Sequence, residues 1–307
     1  MHPPSQSSRR ALAGASLALA LLAPWPSAAQ SPVAAMRQQV DAEIATLQAH
    51  ASQRAVVDPA RLADLPPPVR RYFAYTGADS APPTRLARYR FEGAVRIPLT
   101  GDRAHVANAT PWLSATGQQV MGLSALGLDY VWDSQWQSPA GTIAVRDAYL
   151  AGKTHIWALR ADGRVMMDER DERIDRTYMV RFFAEATQAP AMLLPSPHLR
   201  WEPLSDTAAR AVLRHGPTEA RMECHFEPSG ALSRCESDDR LLRYSGDVPE
   251  RWIAARWIMT RTDYQPMAGL RLPTRMGVRW RLAGGEEFEQ VRARITEVQL
   301  APGPAQP

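Results

Sequence analysis

The chain has 307 residues, of which 45% are hydrophobic, so it can form one large or two ordinary folded domains and is not a disordered protein. The formal net charge of the chain is +4 at pH 7. Arg9 and Arg10 contribute two of these charges and residues 1–29 contain no acidic residue, so residues 30–307 have a net charge of +2. Basic and acidic residues are mixed, as in residues 168–173, which is typical of a solvated face and argues against nucleic-acid binding.

The N-terminus has the pattern of a cleavable export signal. Arg9 and Arg10 precede an apolar stretch, residues 11–23, that is too short to span a bilayer. Small residues at 27–29 match a signal-peptidase site, so residues 1–29 are predicted to be removed. The mature protein is then exported, to the periplasm or alternatively to the medium, with no membrane span. An uncleaved anchor helix is the alternative.

Residues 30–85 are predicted to form a helical preface and a linker. Apolar residues recur at three- and four-residue steps through Val33–Ala51, which indicates an amphipathic helix. A second helical segment begins in the proline run at Pro66–Pro68 and ends at Gly77. Residues 78–84 are rich in Pro, Ala and Ser and are predicted to be the linker.

From Leu86 the period of the pattern changes from helical to two, because Tyr89 and Phe91 alternate with charged residues. One helix, predicted over 175–188 with Asp175 as its N-cap, interrupts a series of short strands. The strands are predicted at 112–120, 129–137, 142–150, 154–160, 165–168, 199–203, 207–214, 219–226, 231–237, 252–263, 270–276, 278–282 and 288–298.

The order of these segments predicts a mainly β (α+β) fold, because the strands do not alternate with helices as in βαβ units. We expect a large curved antiparallel sheet or unclosed barrel over residues 86–300, with a few helices packed on one side and a disordered tail over 301–307. The concave face of such a sheet must be filled by side chains, by the helices or by a ligand.

The two cysteines, Cys224 and Cys235, flank the turn sequence Glu227-Pro228-Ser229-Gly230. They are therefore predicted to lie on adjacent strands of a hairpin. A disulfide forms in an oxidising compartment if the two residues face each other or lie on a diagonal. A bulged loop would instead direct them to opposite faces of the sheet.

Several segments resemble an uncharacterised family of exported bacterial proteins. They are Leu65–Phe73, Asp147–Gly152, Arg181–Ala186, Leu193–Pro195, Leu199–Glu202, Tyr264, Gly269, Leu272-Pro273 and Trp280–Leu282. The resemblance implies no activity. In strand order and single mid-sheet helix, the chain is also similar to the unclosed β-barrels of periplasmic lipoprotein carriers, whose concave face holds acyl chains. Residues 112–127 depart from the family pattern.

No metal or cofactor motif is present, since the histidines are scattered singly. Gly122–Gly127 places its second glycine one position too late for a serine-hydrolase elbow. The candidate acid/base residues are Asp147, which interrupts an apolar strand face, and Glu185, which lies one helical turn after Arg181; Tyr149 is a further candidate. The alternative is a structural role for Asp147, paired with an arginine or with backbone amides.

Nine tryptophans and eleven methionines are the remaining feature, and they form either a packed core or an adaptable apolar pocket. The residues predicted to line such a pocket are Tyr130, Trp132, Trp136, Trp157 and Trp257. The sequence thus favours an exported carrier of a lipid or other apolar molecule. A hydrolase or isomerase using Asp147 is the second hypothesis, and an envelope interaction module that docks a protein partner through its N-terminal helix is the third.

Overall fold

The computed structural model describes residues 31–51, 62–97, 111–124, 127–243 and 252–302, so the predicted signal at 1–29 lies outside the described residues. The helices are α1 (Pro32–Ala51), α2 (Pro67–Thr76) and α3 (Glu172–Ala186). The strands are β1 (Thr84–Val95), β2 (Leu113–Ser124), β3 (Gly127–Ser138), β4 (Gly141–Leu150), β5 (Lys153–Arg160), β6 (Val165–Glu169), β7 (Leu199–Ser205), β8 (Ala208–His215), β9 (Thr218–Phe226), β10 (Leu232–Ser237), β11 (Leu241–Arg243), β12 (Trp252–Ala254), β13 (Arg256–Met267), β14 (Leu270–Arg281) and β15 (Glu287–Pro302).

Thirteen of these strands form one antiparallel sheet in the order β6-β5-β4-β3-β2-β1-β15-β14-β13-β10-β9-β8-β7, while β11 and β12 pair separately. The prediction of a large antiparallel sheet that is not closed into a barrel is therefore confirmed. Most neighbouring strands are joined by hairpins. An exception is the pair β1 and β15, so the first and the last strand along the chain are neighbours in the middle of the sheet. The last strand continues to Pro302, beyond the predicted boundary at residue 300.

The sheet curves strongly, as a contact between distant turns shows. His215, at the end of β8, lies against Gly127 at the start of β3 and Gly152 between β4 and β5. A Cβ atom at Gly127 would lie 2.4 Å from the His215 ring, and one at Gly152 would lie 2.8 Å from it. Both glycines have positive φ values, so a side chain at either would be both strained and obstructed.

The inner face of the sheet packs on α2 and α3. Val69, Tyr72 and Phe73 of α2 join Ile174 and Phe182 of α3 in the main hydrophobic core. Of the three helices, α1 differs, because Val40, Ile44 and Leu47 pack with Val120, Val131 and Ala148 on the opposite face of the sheet. The helices thus occupy both faces rather than one, and the apolar stripe of α1 is covered by this chain's own sheet.

Helix α3 begins earlier than predicted. Its N-cap is Asp171 rather than Asp175, and the Asp171 carboxylate accepts a hydrogen bond from the Arg173 amide at 2.9 Å. Asp175 lies inside the first turns and accepts from the Thr154 amide at 2.7 Å, so it attaches α3 to β5. An aspartate that precedes an apolar helical pattern can be either an N-cap or an acceptor for a neighbouring strand. Only the position of β5 shows that Asp175 has the second role.

The predicted break near residue 277 is absent, because β14 is one continuous strand. Gly277 interrupts the alternation, which explains the two shorter predicted segments. A Cβ atom at this position would lie 2.5 Å from Thr260 Oγ1 on the neighbouring strand. The glycine therefore permits a close approach within a strand rather than a turn.

A disulfide links Cys224 and Cys235, which is the first of the two outcomes that the hairpin left open. The two residues are directly opposite on β9 and β10, and both are fully buried. The register irregularity lies between Leu232 and Arg234, where it leaves the two cysteines on the same face. A buried covalent link between neighbouring strands stabilises the sheet chiefly by restricting the unfolded chain.

A buried ion pair attaches α1 to the outer face of the sheet. Arg146 of β4 donates its Nε to Glu43 Oε2 at 2.7 Å, and its Nη2 also contacts the other carboxylate oxygen. The Arg146 side chain is 2% exposed and also contacts the His155 ring. A bidentate pair of this kind fixes both the position and the direction of the helix. None of the described helices has the length and apolarity needed to cross a membrane.

Replacing both cysteines, Cys224→Ala with Cys235→Ala, should lower the free energy of unfolding by about 2–4 kcal/mol, because the unfolded chain gains conformational freedom. Urea unfolding with and without reductant measures the effect. Reductant should lower the midpoint of the wild type and leave that of the double variant unchanged. Equal sensitivity of the two proteins to reductant would contradict a stabilising disulfide.

Glu43→Ala should destabilise the fold by about 3 kcal/mol, because it leaves the buried Arg146 guanidinium without its carboxylate. The double variant Glu43→Leu with Arg146→Met should recover most of that loss, since it removes both charges together. Chemical unfolding of the two variants against the wild type makes the comparison. If the double variant is no more stable than Glu43→Ala, the pair does not act as the buried attachment described.

Candidate functional site

The inner face of the sheet encloses a cavity of about 450 Å³. This volume falls within the range of about 300–1,000 Å³ that is usual for small-molecule sites. Strands from both halves of the sheet form its walls, and α3 forms one side. Its apolar lining includes five tryptophans together with aliphatic and methionine side chains: Trp132, Trp136, Trp252, Trp257, Trp280, Val95, Ile97, Ile143, Val145, Ile156, Met166, Met167, Met276, Val278 and Val291.

The strand alternation of β4 determines which of its residues reach the cavity. Ile143, Val145 and Asp147 line it, while the intervening Ala144 and Arg146 lie on the α1 side of the sheet. The sequence pattern placed Asp147 on an otherwise apolar face, and the structure places it on the inner face. Asp147 is 9% exposed as a residue, and its side chain is 12% exposed. A charge in such surroundings requires a partner.

That partner is Arg181, whose Nη1 donates to Asp147 Oδ2. The Arg181 Nε lies 3.5 Å from Glu185 Oε1, one helical turn away, and its guanidinium lies 4.5 Å from the centre of the Trp132 ring. Glu185 Oε2 accepts a hydrogen bond from the Tyr89 hydroxyl, and Arg261 lies 3.9 Å from the same oxygen. Both carboxylates are therefore paired within a buried network.

The tyrosines of this region are held in their neutral form. Burial raises the pKa of Tyr89, and the Glu185 carboxylate beside it raises the pKa further. Burial, followed by the nearby Asp175 and Asp129 carboxylates, also raises the pKa of Tyr149. The Tyr149 ring lies 6.3 Å from that of Tyr130 and is 1% exposed, so Tyr149 packs in the core instead of lining the cavity.

The predicted aromatic residues divide into two groups. Trp132, Trp136 and Trp257 line the cavity, whereas Tyr130 packs beneath it, 5.6 Å from the Arg181 guanidinium. Trp157 lies on the opposite face, packed with the outer cluster under α1, and does not reach the cavity. Its ring stacks on that of His155 at 6.1 Å.

One cavity-lining cation has no carboxylate partner among the described residues. Arg240 lies between β10 and β11, and its guanidinium is 4.7 Å from the centre of the Trp257 ring. It is 5.4 Å from the Tyr178 ring and 5.7 Å from the Trp280 ring. Its Nη1 donates to the Thr177 carbonyl at 3.2 Å. Burial lowers the pKa of Arg240, but the side chain is still a cation at neutral pH.

Sequence reasoning missed Arg240 and Tyr178 as lining residues. Arg240 follows an Asp-Asp pair and is typical of an exposed loop, so no local signal distinguished it. The sequence does contain a signal that Trp280 lines the cavity. Met276, Val278 and Trp280 alternate along β14, and all three line the cavity. That signal was obscured by the break predicted at Gly277.

The other motifs do not form a second site within the described part of the chain. No cluster of three or more His, Cys, Asp or Glu residues there could hold a metal ion. Residues 125 and 126 of the Gly122–Gly127 segment, which the sequence compared with a nucleophile elbow, lie outside the described ranges. Gly122 itself is in β2, where a Cβ atom would lie 2.7 Å from Leu47 of α1.

Comparison with known proteins gives a family without an assigned activity. A search of curated proteins finds no match. Among solved structures, the chain is similar to a LolA superfamily protein from Nitrosomonas europaea, at 14% identity and a TM-score of 0.36, over 81% of this chain and 96% of that one. Residues 55–291 match a family described as being of unknown function, DUF6544. This match spans the segments that suggested an uncharacterised family, and the chain belongs to the DUF6544 family.

Proposed function

We propose that the protein is a binding or carrier protein that holds a lipid or another apolar molecule in the cavity of its curved sheet. The observation that carries the proposal is the lining of the cavity of about 450 Å³, which combines five tryptophans with Met166, Met167 and Met276. Aromatic and methionine side chains provide large apolar contact areas, and methionine adapts to ligands of different shape. Burying an apolar ligand against them is favourable by roughly 25 cal/mol per Å².

Edge strand β6 supports access to this cavity from the surface. Met166 lines the cavity and is 45% exposed, and the neighbouring Val165 is 55% exposed. Large apolar residues at a sheet edge are usually avoided, because unpaired edges aggregate. A mobile apolar ligand that enters beside β6 accounts for their presence. The proposal includes export. Two observations support it: the signal-like pattern of residues 1–29, and the disulfide, which is typical of proteins in an oxidising compartment.

The polar network at the base of the cavity favours a binding protein over an enzyme. Asp147 accepts from Arg181, and Glu185 accepts from Tyr89, so each carboxylate has a buried partner. A general acid or base needs a proton to exchange with its substrate, and paired carboxylates are better suited to holding α3 on the sheet. The interaction-module hypothesis requires an apolar face of α1 that is open to a protein partner. That face is covered, because Val40, Ile44 and Leu47 of α1 are buried against the sheet.

Blocking the cavity should abolish binding. Val278 lines the cavity, and Val278→Trp fills it with an indole ring, so we expect at least about a tenfold loss of affinity for the neutral dye Nile red. Fluorescence titration of delipidated protein measures the loss, and displacement of the dye by hexadecanol checks that a lipid-like chain uses the same site.

Arg279→Trp is the matched control, since Arg279 follows Val278 on the same strand, is exposed and does not line the cavity. It should bind Nile red like the wild type. A wild-type protein that is well folded and delipidated but binds neither Nile red nor hexadecanol would overturn the proposed function, as would equal binding by the two tryptophan variants.

Asp147→Asn should lower the free energy of unfolding by about 1–3 kcal/mol, because Arg181 loses a charged acceptor in a buried position. Asp162→Asn is the control, since Asp162 pairs with Arg160 on the surface and its side chain is 61% exposed. That control should change stability by less than about 1 kcal/mol. Thermal unfolding of both variants provides the comparison; an Asp147→Asn protein as stable as the wild type would remove the structural role and return Asp147 to the list of acid/base candidates.

A further inference from the structure

Five arginines line the cavity, and they differ in whether a carboxylate of the described residues is in contact with them. Arg181 and Arg261 lie beside Asp147 and Glu185, so these two guanidinium groups match two carboxylates. Three more arginines line the cavity: Arg243 pairs with Glu169, the Arg96 guanidinium lies 4.2 Å from the centre of the Trp112 ring, and Arg240 has no carboxylate in contact among the described side chains. Arg240 therefore brings to the cavity wall a positive charge that no carboxylate of the described residues contacts.

Unsatisfied hydrogen-bond donors lie at the same place. The Arg240 Nε and the Trp257 Nε1 are both buried, and neither has an acceptor among the described residues. The guanidinium lies 4.7 Å from the Trp257 ring, so the two groups are neighbours. Trp136, elsewhere in the cavity lining, also has a buried Nε1 without an acceptor. Buried donors without partners are costly, and an acceptor-rich ligand would remove that cost.

Arg240 is held rigidly enough to act as a binding group. Its Nη1 donates to the Thr177 carbonyl at 3.2 Å, and the next backbone amide, of Leu241, donates to Thr177 Oγ1 at 3.1 Å. Tyr178, Trp257 and Trp280 contact its guanidinium through their rings. A planar guanidinium fixed among aromatic rings binds carboxylates and phosphates through two parallel hydrogen bonds.

We infer that the ligand is a single-chain amphiphile with one anionic head group, a carboxylate or a phosphate, and that Arg240 binds this head group while the tryptophan-lined cavity holds the chain. The inference rests on the proposed function and names its ligand class. The cavity volume of about 450 Å³ lies in the lower half of the usual range for small-molecule sites, which favours one chain over a larger lipid.

Calorimetric titration of the delipidated protein tests the inference with three probes of equal chain length: hexadecanoate, hexadecyl phosphate and hexadecanol. The wild type should bind at least one of the two anions about 10- to 100-fold more tightly than the alcohol, since a charge-assisted hydrogen bond is lost with the neutral head group. The more tightly bound anion identifies the head group. Millimolar inorganic phosphate should not displace it, and displacement by phosphate alone would overturn the amphiphile assignment.

Arg240→Met should bind all three probes with the affinity that the wild type has for hexadecanol. Arg240→Gln, which keeps a donor for the Thr177 carbonyl, gives the same test if the methionine variant does not fold. Arg279→Met removes an exposed arginine outside the cavity and should keep the wild-type preference for the anion. Retention of that preference by a folded Arg240→Met or Arg240→Gln protein would overturn the role of Arg240.

The outcomes separate the two proposals. A wild-type protein that binds hexadecanol and both anions equally well would overturn the head-group inference and leave the apolar carrier standing. A wild-type protein that binds none of the three would overturn the carrier proposal and the inference together.

Discussion

The rest of the structure depends on a buried ion pair between Arg181 of α3 and Asp147 of β4. Glu185, one helical turn further on, accepts from Tyr89 of β1 and lies close to Arg261 of β13. One helix thereby contacts strands six places apart in the sheet order. In a flat sheet those strands would be about 29 Å apart at a spacing of roughly 4.8 Å. The charges can be paired only if the sheet curves around α3.

The same curvature creates the cavity. Aromatic side chains of β3, β13 and β14 line the space that remains between α3 and the walls. Asp147 and Glu185, the two carboxylates that line the cavity, are paired with Arg181, Tyr89 and Arg261. Arg240 differs from Arg181, Arg243 and Arg261, since it brings a cation to the cavity wall without a carboxylate in contact among the described residues. Under the proposed function, a cation in that position would orient a ligand that the apolar walls alone would not orient.

Strand β4 connects the two layers of the protein. Its odd-numbered residues from Ile143 to Asp147 face the cavity, and its even-numbered residues face α1, where Arg146 pairs with Glu43. Both faces of this strand are buried, so its sequence is almost continuously apolar with one charge directed to each side. Two adjacent residues of opposite charge, Arg146 and Asp147, therefore attach two different helices to opposite faces of one sheet.

The sequence by itself determined the local elements. The helical period of α1, the alternation of β1 and the turn between Cys224 and Cys235 each depend on residues close together in the chain, so the helix, the strand class and the hairpin followed from it, whereas the register that joins the two cysteines did not. Tertiary structure alone decided which face of each strand is the inner one, because a sheet covered on both sides leaves alternation ambiguous. Trp157 was assigned to the cavity for that reason and lies under α1. The surroundings of Arg240 were equally hidden, since they are made by rings from α3, β13 and β14 that only the curved sheet brings together.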